Sequence, residues 1–145
     1  MTVRMHILLA EDEESDVLIT RRALQRCEGQ PVELEVVRDG QELLDRLRGM
    51  APFEGLRRPD LILLDFNLPK VNGLEALQII KQDADLRALP VLMLTTSERP
   101  EEIEASYAHG ANAFVVKPIR FARFVEVMDG LLKFWGDIAR LPGMR

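Results

Sequence analysis

Short apolar runs alternate along this chain with longer segments whose apolar residues recur at helical spacing. Met5–Ala10 is almost unbroken apolar sequence and predicts a buried strand. Val17, Leu18, Ala23 and Leu24 then form a helical stripe that ends near Gly29, with Ser15 placed to cap it. Val32–Val37 predicts a second strand, and Leu43, Leu44 and Leu47 mark one face of a helix over Gln41–Leu47. A loop rich in Gly, Pro and Arg follows over 49–59. Leu61–Leu64 is a continuous apolar run, the pattern of a strand covered on both faces. Gly73 opens a helix carrying Leu74, Leu77, Ile79 and Ile80. Pro90 precedes a fourth strand, Val91–Leu94, and Pro100 opens a helix stopped by Gly110. Ala113–Val116 is a short fifth strand. Phe121, Phe124, Val125, Met128, Leu131, Leu132 and Trp135 give a last helical stripe. Five strands alternating with five helices predict a doubly wound α/β sheet built from right-handed βαβ units.

The 145 residues fit one domain, 1–145, with a core over about 5–135, a short tail over 136–145 and no output domain. The chain is 47% hydrophobic, enough for a full core. A net charge of −5 argues against nucleic acid or an anionic membrane as the default partner. The single cysteine, Cys27, excludes an internal disulfide and multi-cysteine zinc sites. His6 and His109 have no metal-ligand spacing between them; His6 reads as structural and His109 as a helix C-terminal residue. The apolar run near the N-terminus is short and is followed at once by four acids, unlike a signal peptide or a membrane span. The expected location is the cytoplasm.

In a doubly wound sheet the ligand site lies beyond the carboxyl ends of the strands. Glu11 and Asp12 stand at the end of the first strand, Asp65 at the third, Thr95 at the fourth and Lys117 at the fifth. Three carboxylates packed together are costly without a cation. Hard oxygen ligands suit Mg²⁺, which accepts one or two carboxylates and retains room for phosphate oxygens. A hydroxyl and a lysine opposite the metal complete a set suited to phosphoryl transfer, which needs positioning and charge neutralisation.

Here the chain resembles the receiver domain of two-component response regulators. The resemblance runs from residue 5 to about 135. It rests on the acidic pair Glu11-Asp12, the run Leu61 to Pro69 around Asp65 with Gly73 beyond it, Leu94-Thr95-Thr96-Ser97, and Val116-Lys117-Pro118. Asp12, Asp65, Thr95 and Lys117 are 53, 30 and 22 residues apart, as that family requires. The resemblance implies a flavodoxin-like (βα)5 fold with strand order 2-1-3-4-5. It implies that Asp65 is the phosphoacceptor, attacking a phosphohistidine of a sensor histidine kinase. Glu11 and Asp12 would hold Mg²⁺ together with Asp65 and the backbone carbonyl of Asn67. Thr95 would bond the phosphoryl group and Lys117 would pair with it. The Lys117–Pro118 bond is expected to be cis. Thr95 and Phe114 would form the conformational switch, unless Phe114 is simply a static strand residue. Such a protein is a signalling phosphoacceptor that promotes its own phosphorylation and dephosphorylation, not an enzyme acting on other substrates.

A narrower resemblance, to single-domain response regulators of phytochrome-type kinases, rests on Arg58-Pro59-Asp60-Leu61, the longer preceding loop, and the ending Lys133-Phe134-Trp135 with Leu141-Pro142. It implies a homodimer in which Phe134 and Trp135 are interface residues; the other reading packs Trp135 on its own helix and sheet. Other functional classes fit less well. A haloacid-dehalogenase-type phosphatase carries its nucleophile on the first strand with a second Asp two residues later, where this chain has Asn67. A flavin-binding relative of the fold needs a hydroxyl-rich phosphate loop after the first strand, where Glu11–Glu14 would repel phosphate. A receiver-like scaffold that is never phosphorylated usually lacks one of the acids or the lysine. A phosphate sink for the kinase remains compatible with every residue named.

Overall fold

The computed structural model describes residues 5–29 and 31–142. Five parallel strands form one sheet: β1 (Met5–Ala10), β2 (Val32–Val37), β3 (Leu61–Leu64), β4 (Val91–Thr95) and β5 (Ala113–Val116), in the order β2-β1-β3-β4-β5. Every residue of β1, β3 and β4 is buried, which is why these three read as nearly unbroken apolar runs, with His6 in β1 and Thr95 at the end of β4 as the exceptions. The edge strands β2 and β5 are only partly covered.

Helices α1 (Glu14–Arg26) and α5 (Phe121–Lys133) cover one face of the sheet; α2 (Gly40–Arg48) and α3 (Gly73–Gln82) cover the other. Helix α4 (Pro100–Ala108) buries only Ser106. The pleat sorts the strand residues between two cores. Leu8, Ala10, Ile62, Leu64 and Met93 meet Leu43, Leu44, Leu77 and Ile80 on one side. Ile7, Leu9, Leu63, Leu92 and Leu94 meet Val17, Leu24, Phe124 and Met128 on the other.

The helix starts have local causes. Asp39 caps α2 by accepting the Glu42 amide at 2.7 Å. Asn72 and Glu75 form a capping box at α3. Ser15 is not the cap of α1: the helix begins one residue earlier, with Glu13 at the N-cap and no side-chain cap bond. Pro100 occupies the first turn of α4, where its missing N–H costs nothing.

The core extends further than the periodicity indicates. After α5 a π-helical turn spans Phe134–Ile138, and the chain folds back to bury Leu141 in the α1–α5 core. An isolated leucine after Ala139-Arg140 belongs to no periodic stripe, so the pattern alone leaves it in the tail. Residues 143–145 of that tail lie outside the described residues.

The pole of the sheet away from the strand ends carries a polar network. Arg46, buried on α2, grips Glu35 of β2 through two hydrogen bonds of 2.6 and 3.0 Å and donates to the Arg57 carbonyl at 2.7 Å. His6 stands 2.8 Å from Glu35, and its backbone amide donates to Asp60. These bonds pin the long loop before β3, and His6 is structural as its place in the strand suggests. Among the described residues, no helix is long and apolar enough to cross a membrane.

Candidate functional site

The parallel register delivers the strand-end residues to one edge. The Asp65 amide donates to the Ala10 carbonyl at 3.1 Å and the Glu11 amide to the Val37 carbonyl at 3.0 Å, so β2, β1 and β3 end level. Glu11, Asp12 and Asp65 there offer carboxylate oxygens within 4.8 Å of one another. Glu11 is buried, Asp65 partly buried and Asp12 exposed. The Lys117 ammonium, 9% exposed, lies 2.6 Å from Glu11 and 3.8 Å from Asp16. The Glu13 amide also donates to Glu11, at 3.2 Å.

The crowding is expressed in Asp65, whose pKa is pushed up from the ordinary 3.8 to about 7. Burial is the main cause and the Glu11 charge the next; Lys117 and the Phe66 amide oppose them, and Asp12 adds to the rise. A carboxylate held in this way is short of positive charge. The donor set is all oxygen, with two carboxylates beside Asp65, and it fits a hard divalent cation.

Thr95 ends β4, fully buried, and its hydroxyl accepts the Ser97 amide at 3.3 Å. Its carbonyl accepts the Lys117 amide at 2.7 Å, which ties the last two strand ends together. Asn67 lies exposed in the loop two residues after Asp65. Phe114 is partly buried against the α2–α3 core, and its amide donates to the Tyr107 hydroxyl of α4 at 3.1 Å.

One expectation fails. The Lys117–Pro118 bond is trans; among the described residues the cis bond is Ala51–Pro52, in the long loop before β3. The trans form is favoured by about 0.5–1 kcal/mol at an X–Pro bond. With this bond trans, the Lys117 ammonium lies 2.6 Å from Glu11.

At the far end of the chain, Phe134 and Trp135 form an edge-to-face pair with centroids 5.1 Å apart. Phe134 is exposed, whereas Trp135 is half-buried against the α1–α5 core.

Further residues shape the site: Gly73 belongs to the motif that carries the resemblance, whereas Gly40, Lys70 and Asp16 carry little signal in the sequence. A Cβ on Gly73 would lie 2.1 Å from the Asp65 carbonyl oxygen, so the bare backbone of α3 sets the position of the Asp65 loop. Gly40 does the same from α2, where a Cβ would meet the Val71 carbonyl oxygen at 1.8 Å. Between them Lys70 sits at φ +68° in a three-residue turn closed by the Val71 amide on the Pro69 carbonyl. Lys70 reaches Asp39 at 3.6 Å. Asp16, the second carboxylate beside Lys117, looks from sequence like an ordinary first-turn acid.

Residues 7–129 match the response regulator receiver domain. The chain belongs to the response regulator receiver family. It is 36% identical over 137 residues to the probable methanogenesis regulatory protein FilR2 of Methanothrix harundinacea, covering 94% of this chain and 87% of that one. It is equally similar to response regulator Rcp1 of Synechocystis, 36% over 136 residues, covering 94% and 92%. The fold matches the phosphorylated cyanobacterial phytochrome response regulator RcpA with a TM-score of 0.91 and 36% identity, over 97% of this chain and 100% of that one. It matches the Mn²⁺-bound form of Rcp1 at 0.87 and 35%, over 96% and 99%. This receiver is thus a two-component signalling protein related to phytochrome response regulators, with an acidic cluster of the kind that holds a divalent metal.

Proposed function

We propose that this receiver accepts a phosphoryl group from a histidine kinase onto Asp65 in a Mg²⁺-dependent step, as part of a phytochrome-type pathway in the cytoplasm. The observation that carries the reading is the meeting of three carboxylates and the Lys117 ammonium at one strand-end edge, with the buried hydroxyl of Thr95 at the end of the adjoining strand. The likeness to RcpA supports the pathway.

An Asp65 carboxylate oxygen attacks phosphorus; the P–N bond of the phosphohistidine breaks, and its electron pair returns to the imidazole. Water later attacks the acyl phosphate, releasing inorganic phosphate and restoring Asp65. Glu11, Asp12, Asp65 and the Asn67 carbonyl would hold the metal. Mg²⁺, when bound, neutralises the crowded carboxylates and the phosphoryl oxygens. Lys117 compensates the charge that gathers on the phosphoryl group, and Thr95 turns its hydroxyl from the Ser97 amide to a phosphoryl oxygen. The space Thr95 vacates admits the Phe114 ring, so that one added group biases a two-state element. Ile19, Ile119 and Phe121 are exposed around the cleft that Lys117 lines, an apolar surface suited to a kinase helix.

Intact-mass analysis after incubation with acetyl phosphate tests the reading. One acid-labile phosphoryl is expected with Mg²⁺ and none with EDTA. Absence of both the adduct and beryllofluoride binding would refute it.

A signalling homodimer through the C-terminal segment completes the proposal. Phe134→Ala removes an exposed ring and is expected to lower the sedimenting mass from dimer to monomer with little change in melting temperature. Trp135→Ala is expected to do the same with some loss of stability, because that ring is also half in the core. An unchanged mass in both variants would leave the pair a packing feature of one chain.

A further inference from the structure

Lys117 is placed between competing carboxylates, and only some of them belong to the phosphoryl site. Glu11, at 2.6 Å, is a ligand candidate for the metal. Asp16, at 3.8 Å, stands on α1 outside the three-carboxylate cluster. One helical turn further, Thr20 is 1% exposed, and its hydroxyl has no hydrogen-bond partner. Asp16, Thr20, Thr96 and Lys117 line one cleft of about 260 Å³ together with Pro118, Phe121 and Phe124. The cleft therefore holds, with the Lys117 ammonium, a charged acceptor in Asp16 and a hydroxyl without a partner in Thr20.

We propose that Asp16, with Thr20 behind it, is a resting berth for Lys117: a positioning pair that draws the ammonium off the phosphoryl position. The inference rests on the phosphoacceptor reading above. When a cation engages Glu11, Lys117 loses its nearest partner and is divided between Asp65 and Asp16. The berth competes with the phosphoryl group for the same ammonium and lowers the affinity of the site for phosphoryl-like anions. It is a property of α1 in this chain and adds nothing to metal ligation.

A double-mutant cycle on the full chain tests it, using Asp16→Asn, Lys117→Ala and their combination. Beryllofluoride with Mg²⁺ is the phosphoryl probe, titrated by calorimetry. Asp16→Asn is expected to tighten beryllofluoride binding about threefold, the scale of one partly exposed ion pair, and Asp16→Glu to leave it near wild type. In the Lys117→Ala background the gain is expected to vanish. An equal gain in both backgrounds would mean that Asp16 acts only through its general field, and no gain would remove its role; either result overturns the berth. The same cycle read by thermal melting of the metal-free protein needs no phosphoryl chemistry. Non-additive losses there support the berth, and additive ones refute it even if Asp65 is phosphorylated normally. Failure of the wild type to bind beryllofluoride would instead strike the phosphoacceptor reading and leave the melting cycle to decide the berth.

Discussion

Asp65→Asn is expected to abolish phosphoryl acceptance and, in the metal-free protein near pH 8, to raise the melting temperature. The first effect follows from the nucleophile: an amide oxygen in place of the carboxylate cannot form the acyl phosphate. The second follows from the crowding. The folded carboxyl keeps its proton from 3.8 up to about 7, where the unfolded chain has already lost its own. Folding therefore binds a proton in that window. The contribution of Asp65 to stability is fully present below 3.8 and is lost as pH rises through about 7. The difference of about three pK units corresponds to a ceiling of about 4 kcal/mol, and solvent access to the site reduces it to about 2 kcal/mol. Wild type should melt several degrees higher at pH 5.5 than at pH 8 as far as this group is concerned, by about 3–4 °C per kcal/mol. Asp65→Asn should flatten that slope. Saturating Mg²⁺ should raise wild type more than the variant, because the cation restores the missing positive charge. A variant that melts no higher than wild type at pH 8 without metal would show that the carboxylates are relieved in some other way.

Gly73→Ala carries the other large effect. A Cβ there would stand 2.1 Å from the Asp65 carbonyl oxygen and 2.9 Å from Phe66 Cα, and both obstacles are backbone. Neither can rotate away as a side-chain end could. The β3–α3 loop must shift, at a cost of about 1–3 kcal/mol or more. That shift moves Asp65 relative to Glu11 and Asp12. The expected result is a melting temperature lower by about 5–10 °C and at least a tenfold slower gain of phosphoryl mass. Gly40→Ala, which meets the Val71 carbonyl oxygen at 1.8 Å, is expected to cost similar stability while acting on Asp65 less directly. Wild-type phosphorylation in Gly73→Ala would show that the loop yields without disturbing the carboxylates.

The strands were legible because their burial is simple. Met5–Ala10, apart from His6, and Leu61–Leu64 and Val91–Leu94 are apolar since helices cover both faces, and period and length identify such runs without any long-range knowledge. The strand-end residues were legible for a related reason. In a parallel sheet every strand delivers its carboxyl end to one edge, so order along the chain already gathers Glu11, Asp12, Asp65, Thr95 and Lys117. Helix boundaries were less so. Ser15 is a good cap residue, yet α1 starts a residue earlier, with no side-chain cap.

What the chain order alone determined was therefore the α/β architecture, the edge on which chemistry can occur and the identity of its acids, hydroxyl and lysine. Tertiary structure decided what those groups experience. The rise of the Asp65 pKa needs Glu11 and burial around it; the pull of Asp16 on Lys117 needs α1 to pack beside the end of β5. The trans Lys117–Pro118 bond, the clearance that Gly40 and Gly73 leave for the Asp65 loop, and the return of Leu141 into the core all depend on segments distant in sequence. Periodicity records which side of an element is buried. It does not record distances between elements, and charge coupling, steric clearance and side-chain reach are functions of distance.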